Sequence, residues 1–271
     1  MTISEIRDIL KQETVEKTVL EEIMADERKG VRQLVDAYIR RLNRESAERF
    51  RVEDMYEPES SFYKKGLEYV AGIDEVGRGP LAGPVTVAAV ILKPHFFIAG
   101  LNDSKKVAPR RREEIAKKIH ETAVDISIVS LSPEEIDMRN IYAATMEAMY
   151  RAVRNLKIQP QAVIVDAMPL HFPVPSLSLV HGDAKSASVA AASIVAKVHR
   201  DHLMDEYDKV YPGYGFLQNK GYGTAEHIEA IRTLGITPIH RKSFEPVKSI
   251  CLLYTSPSPR DGATSRMPSS A

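Results

Sequence analysis

Residues 69–84, YVAGIDEVGRGPLAGP, constrain the fold of this chain more than any other stretch. Val70, Ala71 and Ile73 begin a buried strand that delivers two adjacent carboxylates, Asp74 and Glu75. A loop punctuated by Gly77, Gly79, Pro80, Gly83 and Pro84 follows, and then a second apolar run, VTVAAVIL, over 85–92. Adjacent acids at a strand end repel unless something positive neutralises them, and a hard divalent cation does so with oxygen ligands alone. The Gly-Arg-Gly after them offers unobstructed backbone amides and one guanidinium fork, suited to a sugar-phosphate backbone.

Three later segments carry the same chemistry. Residues 162–166 (AVIVD) form a short apolar run ending in Asp166. Residues 181–201 (HGDAKSASVAAASIVAKVHRD) place Asp183 just ahead of a long helix, in which Ala190, Ala191 and Ala192 allow close packing on a sheet. Residues 211–224 (YPGYGFLQNKGYGT) form a loop dense in glycine and tyrosine. The four acids, with no histidine or cysteine at metal-ligand spacing, favour Mg²⁺ or Mn²⁺ over Zn²⁺.

Taken in this order, the four motifs resemble the type 2 ribonuclease H family, specifically ribonuclease HII, over about residues 69–248. The resemblance implies a ribonuclease H-like mixed α/β sheet flanked by helices. It also implies a metal-dependent endonuclease with Asp74, Glu75, Asp166 and Asp183 as catalytic metal ligands. The family's glycine-arginine-glycine loop falls on Gly77, Arg78 and Gly79, and its junction-sensing tyrosine on Tyr222. Lys105, in the DSKK segment 103–106, and Lys185 are further phosphate-contact candidates. The implied partners are RNA-DNA hybrids and duplex DNA with embedded ribonucleotides, cut on the 5′ side of the ribonucleotide to leave 3′-hydroxyl and 5′-phosphate ends. Arginine at position 78 and aspartate at 183 favour HII over the sister family HIII. A hybrid-only nuclease of the HIII type and a non-cleaving hybrid-binding module remain the competing readings.

Around this core, Val31, Leu34, Val35, Tyr38, Ile39 and Leu42 recur at helical spacing. Residues 1–50 are therefore expected to be a small helical appendage, with a break at Gly30, and 51–68 a charged linker or docking segment. The catalytic domain spans 69–248. Strands are expected over 69–76, 85–92, 124–131, 162–166 and 177–180. Helices are expected from Pro109, after a capping box at Ser132, over 141–156 and 186–207, and from Thr224. Consecutive strands followed by strand-helix alternation indicate a mixed sheet. Residues 249–271 lack periodicity, are serine-rich, and read as a disordered, non-native tail.

Lysine and arginine number 37 against 37 acidic residues, so no global field attracts nucleic acid. The single cysteine, Cys251, excludes an intrachain disulfide. No apolar stretch approaches bilayer length, and the charged N-terminus is unlike a secretory signal. A cytoplasmic monomer is the expectation.

Overall fold

The computed structural model describes residues 1–12 and 14–255, which divide into two compact units, Met1–Asp54 and the remainder from Met55. The first unit holds α1 (Ile3–Leu10), α2 (Lys17–Met24) and α3 (Lys29–Asp54). Thr2 caps α1 in a capping box with Glu5, and Ile6, Leu10, Ile23, Val31 and Tyr38 form the unit's core. Gly30 lies in the first turn of α3 rather than at a break, with the space above it filled by Ile3. The amphipathic helix continues to Asp54, so residues 51–54 extend it.

The second unit opens with α4 (Glu57–Tyr63), in which Glu59 and Phe62 are buried. The stretch 51–68, expected as a linker or docking segment, thus contributes a packed helix. Strands β1 (Val70–Val76) and β2 (Val85–Ile91) come next, and a 3₁₀ turn covers Ser104–Lys106. They are followed by α5 (Pro109–Thr122), β3 (Asp125–Leu131), α6 (Pro133–Arg139), α7 (Ile141–Arg154), β4 (Ala162–Asp166) and β5 (Ser176–Leu179). The chain continues through the short α8 (Gly182–Lys185), α9 (Ala187–Val210), the short α10 (Phe216–Asn219), α11 (Ala225–Leu234) and α12 (Val247–Thr255). The five strands form one mixed sheet in the order β3-β2-β1-β4-β5, antiparallel on the β2 side of β1 and parallel on the β4 side. The capping box at Ser132 forms as expected.

Strand alternation sorts the central residues between two layers. Ala71, Ile73, Val163 and Val165 pack into the core that contains Ala144, Ala148 and Met149 of α7. Val70, Ala162 and Ile164 pack with Phe62 of α4 and Val189 of α9. Gly72 admits α9 to backbone contact, since a Cβ there would fall 2.3 Å from the Val189 nitrogen.

The C-terminal end departs from expectation. Helix α12 carries past residue 248, with Val247 and Ile250 buried beside Phe216, Ile231 and Ile239. The segment's weak periodicity hid this, because its apolar face is completed by distant residues rather than by its own repeat. Residues 256–271 of the expected tail lie outside the described residues.

Candidate active site

Three segments, β1, β4 and α8, carry the four acids to the ends of the inner strands β1 and β4. The parallel register pairs Ile73 with Val165, so Asp74 and Asp166, one residue further along, leave adjacent strands on the same face. That face is covered by α9, and the Ser193 hydroxyl of α9 lies against Asp74. Asp183 arrives from α8, where Gly182 donates to Asp166 Oδ1 at 2.7 Å and ties the two segments together. Glu75 starts on the opposite face. The register stays unbroken through Val76↔Thr86, so no bulge turns the strand before its end.

The electrostatics record how crowded the acids are. Burial, then Glu75 and Asp166, push the Asp74 carboxyl well above the ordinary range, and Ser193 only partly offsets them. Burial raises Glu75 too, against the pull of Arg78, and leaves its Oε2 buried without a hydrogen-bond partner. Asp183 is raised by burial and by the neighbouring Asp103 carboxylate, and Asp166 adds to the shift. Lys105 faces this group: burial disfavours its ammonium, but Asp103, Asp183, Asp74 and Asp166 outweigh that and raise its pKa.

Such a set fits a hard divalent cation: oxygen donors only, mutually repelling, and with one buried carboxylate oxygen unused. No three His, Cys, Asp or Glu side chains among the described residues are arranged to hold an ion as they stand. Three of the acids take local partners instead, while Glu75 Oε2 keeps none. Asp74 accepts from the Glu75 amide at 2.8 Å, Asp166 from Gly182, and Glu75 Oε1 pairs with Arg78 at 3.3 Å.

The substrate-binding candidates flank the acids. Arg78 and Gly79 are exposed, while Gly77 is buried with φ +89°. Tyr222 is 44% exposed and stands beside this loop, its Cε1 3.9 Å from where a Gly79 Cβ would sit. Its carbonyl is held by a histidine chain. The Thr237 amide donates to His240 Nδ1 at 2.9 Å, which leaves the proton on Nε2 to meet His227 Nε2 at 3.1 Å. His227 Nδ1 then donates to the Tyr222 carbonyl at 2.8 Å. Both rings are therefore neutral, and burial lowers both pKa values.

Lys185 is exposed at the end of α8. Between Lys105 and Lys118 the basic side chains are exposed apart from Arg112. Arg112 turns inward to the Ser104 and Val107 carbonyls and to Asp201, while Arg110 and Arg111 pair with Glu114. Sequence reasoning had missed Asp103 and Ser193 as neighbours of the acids. Asp103 was within reach of it, as the side chain that caps the 3₁₀ turn ahead of Lys105.

A five-stranded mixed sheet flanked by helices, with carboxylates clustered where β1 and β4 end, defines a ribonuclease H-like nuclease. Comparison with known proteins narrows the class. The family model for ribonuclease HII matches residues 71–247, and the model for the ribonuclease HII N-terminal domain matches 2–63. The chain is 51% identical over 252 residues to ribonuclease HII of Ligilactobacillus salivarius, covering 93% of this chain and 98% of that one. Ribonuclease H2 of Pyrococcus horikoshii superposes with a TM-score of 0.61 at 27% identity, covering 68% of this chain and 98% of the other. A ribonuclease HII from Archaeoglobus fulgidus, solved in complex with PCNA, gives 0.54 at 27% identity, covering 65% and 95%.

The chain belongs to the ribonuclease HII family. It is a divalent-metal-dependent endoribonuclease that acts on RNA-DNA hybrids. No helix among the described residues is long and apolar enough to cross a membrane.

Proposed function

We propose that this enzyme cuts the phosphodiester on the 5′ side of a ribonucleotide, in hybrids and where the ribonucleotide is embedded in duplex DNA, leaving 3′-hydroxyl and 5′-phosphate ends. Asp74, Glu75, Asp166 and Asp183 would hold two divalent ions, Mg²⁺ or Mn²⁺. When bound, such ions activate water and neutralise charge on the leaving oxygen. The supporting observation is the juxtaposition of the crowded acids with the exposed Arg78–Gly79 segment and Tyr222.

In this reading the protein's own groups do the selecting. Loop 77–79 presents amides and the Arg78 guanidinium to the ribonucleotide and its phosphates. The Tyr222 ring packs on the next sugar, where a 2′-hydroxyl would be crowded out, so a deoxyribose is preferred there. Lys105, already facing the acids, and the exposed Lys185 add positive charge for the backbone. The enzyme is proposed to work as a monomer.

Cleavage-site mapping on a duplex with one embedded ribonucleotide tests the proposal. A single cut 5′ of that residue, dependent on added Mg²⁺ or Mn²⁺, is expected. Cleavage confined to runs of several ribonucleotides would overturn it.

A further inference from the structure

Two of the largest wholly buried side chains are arginines, Arg200 and Arg241, both 0% exposed. Burying a guanidinium is costly unless its donors are used. Every hydrogen bond described for these two ends on a main-chain carbonyl. Arg241 donates to the carbonyls of Gly77, Arg78 and Gly83, and Arg200 to those of Ala82, Pro84 and Lys220. All but the last of these carbonyls lie in loop 77–84, while Lys220 lies two residues before Tyr222. Burial pushes the Arg241 guanidinium down to about 9, so both its charge and its donors persist at neutral pH.

The glycines of the loop make room for this arrangement. A Cβ on Gly77 would fall 2.3 Å from Arg200 Nε, and one on Gly221 would fall 2.3 Å from the Ala82 carbonyl oxygen. Main-chain bonds complete the fastening, from Leu81 to the Gly221 carbonyl at 2.8 Å and from Gly83 to the Ile239 carbonyl at 2.9 Å. The direction of the carbonyls has a consequence. In a trans peptide C=O and N–H point in opposite directions. With the Gly77 and Arg78 carbonyls aimed at Arg241, the amides of Arg78 and Gly79 point away from the buried side and toward the surface.

We propose that Arg241 and Arg200 are positioning residues for substrate discrimination. From beneath, they fix loop 77–84 and the loop carrying Tyr222 as one preorganised surface, with the Arg78 and Gly79 amides turned outward as anion donors. The proposal rests on the reading that loop 77–79 and Tyr222 contact the ribonucleotide.

The test compares wild type, Arg241→Lys, Arg78→Ala and the double variant. Each is measured for kcat and KM on a duplex with one ribonucleotide, with the all-DNA duplex of the same sequence as competitor. Lysine keeps the charge but cannot fork to three carbonyls. Arg241→Lys should raise KM between about tenfold and a hundredfold, leaving the competitor's inhibition constant unchanged. The double variant should be little worse than Arg78→Ala, because both act through one loop. Unchanged KM in a folded Arg241→Lys, or fully additive losses, would overturn the proposal.

Hydrogen exchange on the wild type covers the case in which Arg241→Lys fails to fold. The Leu81 and Gly83 amides should be protected like those of β1, and exchange at the rate of an unstructured peptide would also overturn it. A wild type with no preference for the ribonucleotide duplex, but a protected loop, would instead remove the underlying reading of the site.

Discussion

Gly72 of β1 and Ser188 of α9 touch through their backbones: a Cβ on the glycine would fall 2.1 Å from the serine carbonyl carbon. This contact sets how deeply the N-terminus of α9 sits on the sheet, and so where α8 and Asp183 stand relative to Asp74. Glu59 secures the same junction. Its Oε1 accepts from the Ser186 and Ser188 hydroxyls, both at 2.6 Å, and from the Ser188 amide at 2.9 Å.

Gly72→Ala should therefore be costly, because the obstacle is backbone rather than a flexible side chain. Overpacking costs about 1–3 kcal/mol, and occasionally more, and the upper end applies here. Denaturant unfolding of Gly72→Ala measures it. A midpoint equal to wild type would mean that α9 can lift away freely.

Asp74→Asn should cripple cleavage without unfolding the chain. The Asp74 carboxyl is buried and pushed up by burial and by Glu75, so removing its charge relieves the fold. Turnover should drop by roughly a hundredfold or more, in line with the loss of one electrostatic stabiliser, while the melting temperature holds or rises. Near-normal turnover at saturating Mg²⁺ would contradict the role proposed for Asp74.

Tyr222→Ala should weaken cleavage at a single ribonucleotide by about tenfold, since stacking contacts are worth roughly 1–3 kcal/mol and a sugar contact falls at the low end. The ring is 44% exposed, so stability should be little affected. Equal activity of wild type and variant on that substrate would leave Tyr222 with no part in recognition.

His240 makes the second unit sensitive to acid. Burial first, then His227, depress its pKa to about 4 from an ordinary 6.5. Between those values the unfolded chain binds a proton that the folded one refuses. The stabilisation is complete above 6.5 and is lost as pH falls toward 4, by up to about 3 kcal/mol. The raised carboxyls of Asp74 and Asp183 act in the opposite sense, so the informative quantity is a difference. Between pH 7.5 and 4.5, His240→Gln should lose less melting temperature than wild type does. Equal losses would show that the histidine pair is not the group being titrated.

Ile250→Ala should destabilise the second unit by about 2–4 kcal/mol, the usual cost of emptying a buried isoleucine site. The residue is 7% exposed and packs in the cluster containing Phe216 and Val247. Removing the chain from residue 249 onward should cost at least as much. A calorimetric melt unchanged by either alteration would show that α12 contributes nothing to the fold.

Where a local signal sufficed, the sequence alone was enough. The run into Asp74, the turn glycines, the Ser132 capping box and the cap at Thr224 all sit within a few residues of what they specify, and they appear where the pattern puts them. The candidate acids were legible for the same reason, each standing at the end of an apolar run or just before a helix.

Only the tertiary structure decided the rest. It placed Asp74 and Asp166 on one face with Glu75 starting on the other, because parallel register between β1 and β4 is a property of two strands rather than one. It also buried Arg200, Arg241, Glu59 and the His227–His240 pair, which in sequence look like ordinary surface residues. The partners of Arg200 in residues 82–84, of Arg241 in residues 77–83 and of Glu59 in residues 186–188 lie more than a hundred residues away. The physical reason is that a polar group's burial depends on whether its hydrogen bonds can be met after folding, and no local periodicity carries that information.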